Sequence, residues 1–197
     1  MKGYSAIDEL SRILGKIEAG GTGVLESAVS ATVRALKVGR KILVFGNGGS
    51  AAEAQHFAAE LVNRFLKERR AIPAIALTTD TSALTAIAND RSFDQVFSRQ
   101  IEALGKKGDV AIALTTSGTS PNVIEGLKAA KAKGMLTIAL MGEGGGKLAG
   151  LPDFLLAVPS KSTPRIQEVH LLMLHIMAEG IEGSGPNIQK IKLNVRT

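Results

Sequence analysis

The 197-residue chain has no cysteine and no tryptophan, one tyrosine and three histidines, and its apolar residues never form a run of membrane-spanning length. Each shortage removes a class of chemistry. Without cysteine there is no disulfide, no thiolate nucleophile and no thiolate-bound zinc, so any metal must be held by oxygen and imidazole. Aromatic residues make up 4% of the chain, and its 24 Lys and Arg are scattered rather than clustered. The net charge of +6 therefore favours small anionic partners over nucleic acid, since a single-strand platform needs stacking rings beside a basic groove. The opening MKGYSAIDEL carries charges where a signal peptide needs an apolar core. With no stretch approaching the ~20 apolar residues of a transmembrane helix, a cytoplasmic protein with no membrane partner is expected.

What is present is concentrated between Ile42 and Glu60, ILVFGNGGSAAEAQHFAAE. The apolar run Ile42–Phe45 reads as a buried strand, and Gly46-Asn47-Gly48-Gly49-Ser50 allows a sharp turn and close approach of backbone to a ligand. A helix beginning there turns its N–H groups toward that ligand, which suits a phosphate. The helix carries His56 and Glu60 at i, i+4 spacing, on one face and one turn apart, where both can serve one metal or one acid–base reaction.

The rest of the chain repeats this logic. Helical periodicity from about Tyr4 to Val38, broken at Gly20–Gly23, predicts two helices in an N-terminal segment, residues 1–40. Strands are predicted at Lys41–Phe45, Ala74–Thr78, Val110–Thr115, Leu136–Met141 and Phe154–Val158. Helices are predicted at Ala51–Lys67, Ser82–Ala88, Phe93–Gly105 and Asn122–Lys133. Alternation of this kind implies parallel strands with right-handed crossovers, hence a three-layer α/β domain over residues 41–182. A second strand–loop–helix unit has the hydroxyl-rich turn Thr115-Thr116-Ser117-Gly118-Thr119-Ser120, with Ser120 suited to cap a helix and Pro121 to open it. Two such loops at the carboxyl edge of one sheet, with the hydroxyls of Ser50, Thr116, Ser117 and Ser120 beside backbone donors, suit a sugar phosphate.

The last helix, Arg165 to about Glu182, carries Gln167, His170 and His175 on one stripe and is apolar on its opposite side as well, which predicts burial between subunits. Gln167 and His175 are separated by roughly 12 Å of helix rise, so a shared metal requires Gln167 to stretch or the two to serve different sites of an oligomer. Residues 183–197 form a basic tail from which no function is drawn. GNGGSA also matches a dinucleotide fingerprint, but Asp80, the acid ending the next strand, lies well beyond the roughly 20-residue spacing that reading requires. Asn89-Asp90 reads as a short linker after the helix Ala83–Ala88, either a plain turn or a pair of ligand groups, and Arg64 as a solvated arginine or a contact across an interface.

GNGGS, QHFAAE at Gln55–Glu60, AIAND at Ala86–Asp90, TTSGTSPNV at Thr115–Val123 and RIQEVHLLMLH at Arg165–His175 resemble, in order and spacing, the sugar isomerase (SIS) domain family, and within it the phosphoheptose isomerases. The resemblance implies a flavodoxin-like domain with a five-stranded parallel sheet, assembled as a homotetramer with active sites at subunit boundaries. It implies an aldose–ketose isomerase converting D-sedoheptulose 7-phosphate to D-glycero-D-manno-heptose 7-phosphate through an enediol, the first step of heptose supply for lipopolysaccharide or related glycans. It implies substrate contacts at Asn47, Gly48, Gly49, Ser50, Glu60, Asn89, Asp90, Thr115, Thr116, Ser117, Ser120 and Gln167. The same resemblance implies one zinc per subunit on His56, Glu60, Gln167 and His175, with Glu60 as base and His175 as acid. Thr119, Pro121 and Pro164 depart from the common family residues without removing a named group. The alternatives are a non-catalytic SIS adaptor of the replication-initiator-binding type, which has no chemical reason to keep Glu60 and His175 together, and an isomerase of another sugar phosphate.

Overall fold

The computed structural model describes residues 3–184; of the basic tail, Gly185 onward lies outside them. Two helices, α1 (Gly3–Gly20) and α2 (Gly23–Lys37), precede a five-stranded parallel sheet. Its strands are β1 (Ile42–Gly46), β2 (Ala74–Ala76), β3 (Val110–Leu114), β4 (Leu136–Met141) and β5 (Phe154–Ala157), in the spatial order β2-β1-β3-β4-β5. Between them run α3 (Gly49–Val62), α4 (Thr81–Asp90), a 3₁₀ turn at Phe93–Gln95 leading into α5 (Val96–Leu104), and α6 (Pro121–Ala132). The last element is α7 (Thr163–Ser184). This is the flavodoxin-type strand order, whose direction reverses between β1 and β3.

The strands are apolar throughout because both faces are covered. Alternate residues feed two separate cores. Ile42 and Val44 with Ile112 and Leu114 pack under α3, α7 and the N-terminal helices, whereas Leu43 and Phe45 with Ala111 and Ala113 pack under α5 and α6. Ile13, Leu25 and Val33 lie in the first core beside Ile166 and Met173, so α1 and α2 are built into the domain that follows them. Gly126 of α6 is a space requirement: a Cβ there would sit 2.7 Å from Cε2 of Phe45.

Helix α3 stops at Val62, five residues short of the predicted end, because a buried ion pair takes over its carboxyl terminus. Arg69 donates to the carbonyls of Glu60 (2.6 Å), Leu61 (2.7 Å) and Asn63 (3.2 Å), which have no acceptor role left within the helix. Glu182, near the end of α7, accepts from the N–H groups of Phe65, Leu66 and Lys67 and from Arg69 Nε at 3.2 Å. Both side chains are shut off from solvent. Burial pushes the Glu182 carboxyl up, but those three N–H groups and the guanidinium outweigh it and hold it below the ordinary range.

Candidate active site

The turn after β1 and the turn after β3 leave the sheet side by side, since Gly46 and Leu114 are register partners. This is the switch point, where open α/β sheets bind ligands. Gly48 adopts φ +57°, the left-handed region that favours glycine. The N–H groups of Ser50 and Ala51 donate back to the carbonyls of Asn47 and Gly48, which leaves those of Gly48 and Gly49 for an anion. Gly49 also has to be small. A Cβ on it would overlap the carboxamide of Gln167, which reaches across from α7.

Helices α3 and α7 run parallel and meet residue by residue. Gly49 faces Gln167, Glu53 faces His170, His56 faces His175, and the segment after α3 meets Glu182. His56 Nε2 and His175 Nε2 are 2.8 Å apart, so one nitrogen holds the proton and the other accepts it. Glu60 Oε1 lies 3.4 Å from His56 Nε2, and the Phe65 ring stacks on His175 with centroids 5.3 Å apart. A carboxylate, two imidazoles and an aromatic wall therefore gather one helical turn from each other on a half-exposed surface. The arrangement can take a proton from carbon and give one to oxygen.

The other expected site residues divide into two groups. Asn47 and Gln167 border the glycine turn, and Thr116, Ser117 and Ser120 border the hydroxyl turn with part of their surface open. Ser50 and Thr115, by contrast, are buried. Thr115 Oγ1 accepts from the Gly118 N–H at 3.2 Å, shaping its own loop, and the Ser50 hydroxyl is turned toward Glu53. Ser120 stands at the N-cap of α6 without a side-chain capping bond. Asn89 and Asp90 form the exposed last turn of α4 rather than a linker, bonded to each other. Among the described residues no hydrogen bond ties them to the other candidates. Arg64 pairs with Glu68 on the surface.

Donor types alone fit zinc: two imidazoles and a carboxylate. Tetrahedral bonds of ~2.05 Å would hold two ligand nitrogens about 3.3 Å apart, so the 2.8 Å pair must open slightly to admit an ion. Gln167 lies against Gly49 instead, two turns of α7 from His175. Among the described residues no group of three or more His, Asp or Glu forms a ready-made metal site.

Three polar groups escaped sequence reasoning. Asn122 is one. The others are Glu53 and the unexpected condition of His170, which is fully buried yet has no hydrogen-bond partner on either ring nitrogen. Its Nδ1 lies 4.0 Å from Glu53 Oε2, itself buried and unpartnered. Burial pushes the Glu53 carboxyl up to about 7 against the Ser50 hydroxyl, and pushes His170 down to about 4. The Met141 carbonyl opposes the second shift in part without reaching hydrogen-bonding geometry. Near pH 5.5 the pair carries one proton whether folded or not; folding moves it from imidazole to carboxyl, so a neutral pair is buried instead of an ionic one.

The sign for stability follows. Glu53 has a raised folded value, so its favourable contribution is complete below pH 4.5 and lost as pH rises through about 7. Glu53→Gln is expected to stabilise the protein at pH 8 by about 1–3 kcal/mol, with the gain shrinking toward pH 5. Urea unfolding at both pH values measures it.

A family model described as SIS domain matches residues 7–142. The chain is 57% identical over 158 residues, 80% of its own length and 82% of the relative's, to a phosphoheptose isomerase of Citrifermentans bemidjiense. The chain belongs to the phosphoheptose isomerase branch of the SIS domain family. Solved structures of the family agree in fold. A phosphoheptose isomerase from Neisseria gonorrhoeae superposes with TM-score 0.87 at 46% identity, covering 91% of this chain and 96% of that one. One from Francisella tularensis gives 0.89 at 37% identity, covering 92% and 97%. The family's fold is therefore the one observed.

Proposed function

We propose that this protein isomerises D-sedoheptulose 7-phosphate to D-glycero-D-manno-heptose 7-phosphate through an enediol. The observation that carries the reading is the His56–His175–Glu60 group on the same α3–α7 seam that begins at the glycine turn, in a chain of the phosphoheptose isomerase family. The phosphate is held by the glycine turn at Gly48–Gly49 and by the hydroxyls of Thr116, Ser117 and Ser120, while Gln167 and Asn47 border the sugar. Glu60 removes the proton from the carbon beside the carbonyl, exchanges it with solvent, and delivers a proton to the neighbouring carbon that was the ketone. His175, whose Nε2 shares a proton with His56, donates to the carbonyl oxygen and takes a proton from the adjacent hydroxyl oxygen as the enediol collapses to the aldehyde.

A zinc ion on His56, Glu60 and His175 would supply polarisation of the substrate oxygens. Those atoms are also the proton-transfer groups, so metal and chemistry compete for the same donors. Gln167 joins such a site only by reorientation or from another subunit. A homotetramer belongs to the same reading, supported by Leu172 and Ile176 of α7, each 42% exposed in the protomer. So do a cytoplasmic location and delivery of the heptose to lipopolysaccharide or a related glycan. No helix among the described residues is long and apolar enough to cross a membrane.

The test is incubation of metal-analysed protein with sedoheptulose 7-phosphate and with fructose 6-phosphate, products identified by mass spectrometry and NMR. Turnover confined to the heptulose is expected. Preference for fructose 6-phosphate would assign another sugar phosphate, and no turnover with or without added zinc would overturn the enzyme reading.

A further inference from the structure

Asn47 and Asn122 lie beyond the strands of the two strand–loop–helix units, one in the glycine turn and one in the first turn of α6. Their amides pair reciprocally. Asn47 Nδ2 donates to Asn122 Oδ1 at 2.9 Å, and Asn122 Nδ2 donates to Asn47 Oδ1 at 2.8 Å. Asn122 is 2% exposed, and its Oδ1 also accepts from the Val123 N–H at 3.0 Å. A backbone N–H can only donate, so that last bond decides which end of the Asn122 amide is oxygen. The nitrogen must then face Asn47, which in turn decides the orientation of the Asn47 amide. Information about orientation thus passes from the backbone of α6 to the glycine turn. Asn47 keeps one N–H and one oxygen lone pair unspent, and it is the partly exposed member of the pair.

We propose that Asn122 is a positioning residue that locks the Asn47 amide in the orientation substrate requires and fixes the spacing of the two phosphate-handling loops. The proposal rests on reading those loops as the substrate site. Asn122→Ala releases Asn47 to rotate. Asn122→Asp keeps the acceptor for Val123, but presents two oxygens to Asn47, so either orientation of the Asn47 amide sets one oxygen against another and the selection between them is lost. Both variants impair the same group by different means, and the second retains the bond to α6.

The experiment is a double-mutant cycle on the full-length protein with sedoheptulose 7-phosphate, using Asn47→Ala, Asn122→Ala and the double variant, with Asn122→Asp and the melting temperature of each in parallel. Asn122→Ala and Asn122→Asp are expected to raise KM about tenfold, the effect of ~1.4 kcal/mol, with kcat within about threefold. The double variant is expected to be no worse than Asn47→Ala, because Asn122 acts through Asn47. Independent, multiplicative losses would overturn the proposal, as would normal KM in both Asn122 variants alongside an impaired Asn47→Ala. Normal kinetics in Asn47→Ala would overturn the reading of Asn47 as a substrate group and the lock with it. A lowered melting temperature with unchanged KM would reduce Asn122 to a structural part.

Discussion

Glu60→Gln is expected to lower kcat roughly 10²- to 10⁴-fold, the usual worth of a positioned general base, with little change in melting temperature. The substitution keeps the shape and the backbone of the residue, including the carbonyl that accepts from Arg69 at 2.6 Å. It removes only the ability to take a proton from carbon. His175→Gln is expected to fall by a comparable factor. If the two act in one proton-transfer sequence, the double variant loses little more than the worse single variant. An adaptor protein would show no catalytic phenotype in either, because it would have no turnover to lose. Steady-state rates on folded variants of matching oligomeric state decide the matter.

Glu182→Ala carries the largest expected effect on stability. The substitution strands the Arg69 guanidinium in the interior and leaves the N–H groups of Phe65, Leu66 and Lys67 without their acceptor. Removing one partner of a buried pair costs about 3–5 kcal/mol, which at about 2–4 °C per kcal/mol for a chain of this size lowers the melting temperature by roughly 10 °C. The pH dependence gives a second signature. Glu182 is held below its ordinary value when folded, so its contribution is present at neutral pH and lost as pH falls through the folded value. The deficit of the variant should therefore narrow in acid. Because Arg69 also holds the last turn of α3, the same variant is expected to lose activity through a loosened Glu60. Thermal unfolding at pH 7 and pH 4 checks the first two outcomes.

The contrast between these sites shows what a linear sequence reveals. The strands were legible because burial on both faces makes them unbroken apolar runs, and Leu136–Met141 is observed with the predicted bounds. Only their ends slip by a residue or two, as for Ala74–Ala76, where pairing stops before the apolar character does. The glycine turn and the His56–Glu60 pair were legible because their partners lie within one helix turn. Pairing of His56 with His175 across 119 positions was not, since it depends on α3 and α7 packing in parallel register. The early end of α3 was hidden for the same reason: Glu182 lies 113 positions from Arg69. Ser50 looked like a ligand hydroxyl by residue type and Thr115 by the family resemblance, but neither signal says which way a side chain turns. Asn122 stood inside the motif TTSGTSPNV, next to the proline that opens α6, and its bond to Asn47 needed the two loops side by side.

The most direct test of the account is NMR of sedoheptulose 7-phosphate incubated with the protein in D₂O. An enediol formed by Glu60 exchanges its proton with solvent, so the account predicts the aldose phosphate with deuterium at the carbon that was the ketone. Aldose formed with no deuterium there would show hydrogen passing between the two carbons without exchange and would contradict a solvent-accessible Glu60 as the base; no aldose at all would contradict the isomerase itself.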